Sequence, residues 1–201
     1  LKTIGFFLVW IGVWSPVAMP LATTLKWQRG EPLTIPQKLA FVLSLYAFAP
    51  PLVWLAARVE GGSLADYGFR FNPDFLISLA IGLGLGIVGV AVLFGLETLL
   101  GWVDRQQVTW KAALIAFLPT LLLGLLISGV EELVFRGVLL NWFQQDYAAA
   151  WAGIVTSAIF AVLHLVWDGK DARPQLPGLW LMGMVLVVAR WANGGSLAIA
   201  C

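Results

Sequence analysis

The chain has 201 residues, of which 60% are hydrophobic and 11% charged, with a mean hydropathy of +0.89. Soluble domains carry about 25% charged residues, so this composition excludes a water-soluble globule, a disordered tail and a disulfide scaffold. Twelve Lys and Arg against eleven Asp and Glu leave +1, too little for a nucleic-acid surface, and the single cysteine, Cys201, makes neither an internal disulfide nor a cysteine-rich metal site.

A membrane helix takes ~20 apolar residues, so this composition suffices for roughly six spans. The predicted fold is an all-α polytopic transmembrane helical bundle, one integral-membrane domain over residues 1–201. Its spans are Thr3–Leu25, Leu39–Ala57, Phe75–Leu100, Ala112–Phe143, Ala148–Trp167 and Pro177–Trp191. The first is too long for a secretory h-region and is read as a retained helix. In the second, Pro50-Pro51 predicts a kink, as does Pro119 in the fourth. The third carries Gly84-Leu85-Gly86-Ile87-Val88-Gly89 inside an unbroken apolar run, which lacks the strand a dinucleotide site needs. Ser78, Gly82 and Gly86 recur every four residues there and predict close helix packing. Asn193-Gly194-Gly195 reads as a turn. The chain opens on Leu1 and stops at Cys201 inside the apolar run Leu197–Cys201, so it is read as a fragment ending at the start of a seventh span.

Nine of the eleven tryptophans fall near these boundaries, Trp27, Trp102, Trp142 and Trp151 among them, as indole prefers the headgroup level. The connections after spans one, three and five hold Lys26, Arg29, Lys38, Arg105, Lys111, Lys170 and Arg173. The other side holds Lys2, Arg58, Arg70 and Arg190. The more basic side is expected to be cytoplasmic.

Two clusters carry the chemistry. Glu131, Glu132 and Arg136 lie within the fourth span, where each charge costs about 2.5–3.5 kcal/mol at a helix centre. Glu132 and Arg136 are four apart with the acid first, the favourable order for an ion pair. Glu131 points about 100° away. The spacing predicts that Arg136 holds Glu132 and leaves Glu131 free to act. The second cluster is Phe160 and His164, the only histidine, four apart on the fifth span. If these spans form a hairpin turning near Tyr147, Glu131 lies 16 residues before the turn and His164 lies 17 after it. At ~1.5 Å per residue both sit about 24–26 Å from the turn, and so level with each other. A pair of carboxylates, a guanidinium and an imidazole at one depth imply a polar pocket.

These residues resemble the CPBP family of intramembrane proteases, also called the Abi family, which includes the type II CAAX prenyl endopeptidases. Glu131, Glu132 and Arg136 match its Glu-Glu-x-x-x-Arg motif, and Phe160 and His164 match its Phe-x-x-x-His motif. The resemblance covers residues 112–201. The family's later His-x-x-x-Asn motif has no counterpart, because His164 is the last histidine, and a chain lacking it is expected to be inactive.

The resemblance implies hydrolysis of a peptide bond in a membrane-associated or prenylated peptide or protein; compactness points to a multi-pass protein of a bacterial inner membrane, and the charge count to a site opening toward the cytoplasm. Glu131 would be the general base, His164 would hold the water, Glu132 and Arg136 would fix the geometry and Phe160 would support His164. A zinc is one expectation. It takes three protein ligands, and Glu131 and His164 would need a third beyond Cys201. A metal-free, glutamate-activated water is equally compatible. Two non-enzymatic alternatives stand beside these: an ion or proton-coupled transporter using the same charges, and a bacteriocin-immunity scaffold retaining the motifs. A relay should spread its polar residues through the bilayer, whereas here they bunch at one depth.

Overall fold

The computed structural model describes residues 2–28, 30–103, 107–168 and 173–201. Those residues are helical with no strands. Helix α1 (Lys2–Thr24) is followed by α2 (Ile35–Ala47), which Thr34 and Gln37 open with a reciprocal capping box. The chain breaks at Phe48 and restarts as α3 (Ala49–Val59), with Pro50 and Pro51 in its first turn. Proline is tolerated there because first-turn N–H groups have no helical acceptor. The irregularity expected at Pro50-Pro51 is thus a one-residue interruption at Phe48, within one continuous apolar stretch.

Asn72 accepts the Phe75 N–H at 2.8 Å and opens α4 (Pro73–Leu99). Thr109 caps α5 (Trp110–Glu131), which runs through Pro119 without ending. A π-helical segment, Glu132–Leu139, leads into α6 (Leu140–Asp146). The chain turns at Tyr147 into α7 (Ala149–Asp168), and α8 (Leu176–Ala192) follows. Six stretches among the described residues are long and apolar enough to cross a membrane: Lys2–Thr24, Ile35–Val59, Pro73–Leu99, Trp110–Asp146, Ala149–Val166 and Arg173–Ala192. The chain is a multi-pass integral membrane protein.

Burial concentrates on the π-helical segment, all eight residues of which are buried. Around it pack Val53 and Ala57 of α3, Tyr67, Phe160 of α7 and Leu197. Gly137 brings this segment against the chain near Tyr67, where a Cβ at that glycine would lie 3.2 Å from the Tyr67 carbonyl oxygen. The turn at Asn193 uses Gly194 and Gly195 in the left-handed region, with φ of 61° and 86°, which suits glycine. It returns the chain to the bundle, where the Leu197 N–H donates to the Gly68 carbonyl at 3.0 Å.

The small-residue row on α4 is used at one end only. Ser78 donates to Asn193 Oδ1 at 3.2 Å, and a methyl on Gly82 would overlap the Ile199 carbonyl, but Gly86 faces open space. Among the cations counted for orientation, Arg29, Arg105 and Lys170 lie outside the described residues. Arg190 belongs to neither connection: it is 5% exposed and turned into the bundle.

Candidate active site

The two helices around the Tyr147 turn lie side by side. The Arg136 guanidinium sits 4.3 Å from the centre of the Phe160 ring, and the Phe135 ring meets the same ring edge-on at 5.2 Å. Five residues farther from the turn than Arg136 is Glu131, and four farther than Phe160 is His164. The hairpin register therefore brings Glu131 and His164 to the same depth.

Glu132 and Arg136 are 2% and 1% exposed and form an ion pair, Nη1 donating to Oε1 at 2.8 Å. Two buried charges this deep are tolerable only when paired. Among the described residues, Glu132 Oε2 and Arg136 Nη2 have no hydrogen-bond partner. Glu131 is only half-buried and has a different partner: the Tyr46 hydroxyl on α2 donates to its Oε1 at 2.8 Å. The adjacent acids thus have separate environments, one locked inside and one at the margin.

The His164 imidazole is half-buried and lies edge-on to Phe160, ring centres 4.7 Å apart. Its Nδ1 is 2.9 Å from the Phe160 carbonyl oxygen. A carbonyl can only accept, so Nδ1 carries the proton and Nε2 of the neutral ring keeps its lone pair. Phe160 is the hub: its ring touches Arg136, Phe135 and His164, and its carbonyl sets the imidazole.

Two functional features escaped sequence reasoning. The first is the π-helical segment. Leu140 donates its N–H to Phe135, where an α-helix would direct it to the Arg136 carbonyl. Such bulges recur at functional sites; the apolar periodicity carries no signal for this one. The second is Arg190, which the chain places near a helix end. Its guanidinium donates to the Arg136 carbonyl, to Asn141 Oδ1 at 2.9 Å and to the Gly195 carbonyl at 3.0 Å. The Gly194-Gly195 turn that follows was the available clue, since it folds an acceptor back onto the helix end.

An apolar groove of 390 Å³ adjoins these residues, lined by Trp10, Trp14, Phe41, Tyr46, Phe135 and Leu163 among others. Tyr46 bonds Glu131, Phe135 packs on Phe160 and Leu163 precedes His164, so the groove borders the polar cluster. A larger cleft, of 1060 Å³, opens at the other end of the bundle around Lys2, Glu60, Tyr67 and Trp142. There Glu60 accepts from Lys2 at 2.8 Å, from Tyr67 at 2.6 Å and from Trp142 at 3.0 Å. Burial pushes the Glu60 carboxyl up, but these three donors outweigh it and hold the group below its ordinary value.

A catalytic zinc takes three protein ligands and a water. Among the described residues no group of three or more His, Cys, Asp or Glu converges. Glu131 and His164 by themselves do not make such a centre.

Comparison with known proteins bears on this same region. Residues 113–201 match the Rce1-like family. Its model is described as type II CAAX prenyl endopeptidase Rce1-like, and the matched segment runs from α5 through the last residue, holding both motifs. An uncharacterized 24.3 kDa protein of Escherichia coli is 35% identical over 69 residues, covering 33% of this chain and 30% of that relative. The match thus spans less than a third of the relative's length. No solved structure matches the chain. Helices α1 to α4 lie outside the Rce1-like segment, yet α2 contributes Tyr46 to its carboxylate pair.

Proposed function

We propose that the protein is an intramembrane endopeptidase that hydrolyses a peptide bond in a membrane-associated substrate. The observation that carries this reading is the run of contacts from the Glu132–Arg136 ion pair through the Phe160 ring to His164, with Glu131 beside Glu132 in the chain, inside the Rce1-like segment. Ionisable groups at that depth are rare without a use. Their bunching around Arg136 and Phe160 favours a site over a path across the bilayer.

Glu131 acts as general base. With Oε1 held by Tyr46, Oε2 accepts a proton from a water molecule, and the oxygen adds to the scissile carbonyl carbon. His164 Nε2 accepts the water's other hydrogen and orients it, because Nδ1 is committed to the Phe160 carbonyl. Glu132, fixed by Arg136 at 2.8 Å, steadies the helix next to Glu131. As the tetrahedral intermediate collapses, the C–N bond breaks and the proton taken by Glu131 passes to the leaving amine. Positioned acid–base groups of this kind contribute about 10²–10⁴-fold. The substrate is a peptide or protein in or at the bilayer. The apolar groove beside the carboxylates fits a prenyl chain or a comparable apolar segment. The site opens toward the cytoplasm of a bacterial inner membrane.

The test is cleavage of a farnesylated peptide by the natural full-length protein that carries these residues, reconstituted in vesicles. Glu131→Gln should lower kcat at least about 100-fold while leaving thermal stability unchanged. Wild-type turnover in that variant would overturn the proposal.

A further inference from the structure

We propose that Tyr46, outside both motifs and outside the Rce1-like segment, is a positioning residue for Glu131. This rests on reading Glu131 as the base. The Tyr46 hydroxyl donates to Glu131 Oε1 at 2.8 Å, a contact spanning 85 residues of chain and joining α2 to the end of α5. A carboxylate on a helix can rotate about its last torsion, which is broad and roughly two-fold. A fixed phenol removes that freedom: one oxygen is engaged and the other is turned away from it, toward the side where a water would be deprotonated.

Tyr46 is itself held. It occupies the last turn of α2, just before the break at Phe48. Next to it, Trp10 Nε1 donates to the Leu45 carbonyl at 2.9 Å, and the Trp10 and Tyr46 rings lie 6.3 Å apart. Tyr46 lines the apolar groove, and its hydroxyl donates to Glu131. One side chain therefore connects the surface offered to an apolar substrate with the group that activates water. Glu132 needs no such partner, because Arg136 already fixes it. The two acids are oriented independently, one from within its own helix and one from across the bundle.

The test compares wild type, Tyr46→Phe, Glu131→Gln and the double variant, each in the natural full-length protein that carries these residues, on the farnesylated peptide in vesicles. Tyr46→Phe should lower kcat 10- to 100-fold by the logic of a lost orienting contact, with KM within about twofold and thermal stability retained. Adding Tyr46→Phe to Glu131→Gln should cause no further loss, since residues acting as a unit are non-additive. If Glu131→Gln is inactive and Tyr46→Phe turns over like wild type, the inference fails and the proposed function stands. If Glu131→Gln turns over normally, the proposed function itself fails. A rise in KM with unchanged kcat would make Tyr46 a groove residue and overturn the positioning role. Should Tyr46→Phe fold poorly, O-methyltyrosine at position 46 keeps the aromatic ring and removes the donor; an unchanged kcat there would equally overturn the inference.

Discussion

Arg190, at the end of α8, donates from its guanidinium to the backbone carbonyl of Arg136, 54 residues earlier in the chain. That carbonyl would accept from the Leu140 N–H in an α-helix, but Leu140 turns to Phe135 instead. A side chain from another helix thus satisfies a backbone group that the π-helical register leaves without its usual donor. Replacing Arg190 by Met keeps the bulk and removes every donor. Each buried acceptor left unsatisfied costs about 1–3 kcal/mol. We expect a lower thermal midpoint and faster amide exchange across residues 132–140. Unchanged exchange there would separate Arg190 from the π-helical segment.

The ion pair between Glu132 and Arg136 makes a different prediction. Removing one partner strands a buried charge, which costs about 3–5 kcal/mol, whereas removing both with apolar side chains is often near neutral. Arg136→Met should therefore be far less stable than Glu132→Met/Arg136→Met. A denaturation series across the cycle measures this. Additive losses would contradict the pairing.

Gly82 and Gly86 lie one helical turn apart on α4 and should respond oppositely to alanine. A methyl at Gly82 meets the Ile199 backbone, while at Gly86 nothing stands within 4 Å. Gly82→Ala should lower the thermal midpoint by forcing residues 197–201 outward. Gly86→Ala should be neutral or slightly stabilising, since alanine is the better helix former.

Glu60 lies just past the end of the Ile35–Val59 span, so its titration is readable in water. Its carboxyl is held below the ordinary value of 4.5 by Lys2, Tyr67 and Trp142. A lowered folded-state pKa contributes stability that is present above the unfolded value and lost as pH falls through the folded one. The thermal midpoint should therefore drop as pH is lowered from about 5 toward 3, and Glu60→Gln should drop less steeply. Parallel curves for the two proteins would remove Glu60 from the acid response.

Much of the site was legible in the chain because local geometry creates it. Glu132 and Arg136 meet since they are four apart with the acid first, and Phe160 lies against His164 for the same reason of helical spacing. The level of Glu131 with His164 needed only a turn at Tyr147, which polar residues before it announce. Tyr46 was not legible. It is one aromatic among many in an apolar span, and its hydroxyl acquires a partner only when α2 packs beside α5. Arg190 misled for a related reason: a cation beside a Gly-Gly turn looks like a connection residue until the fold directs it inward.

Composition and helical periodicity by themselves determined the membrane setting, the six spans and the pairing of neighbours within a helix. Each of these follows from transfer energies or from contacts within a few residues. Tertiary structure decided the rest. It shifted the hydrogen-bond register at Glu132–Leu139, used Gly82 and left Gly86 free, buried Arg190 against Arg136, and placed Tyr46 on Glu131. Those outcomes depend on which helix lies beside which, and a backbone carbonyl or a carboxylate takes whichever donor that packing delivers.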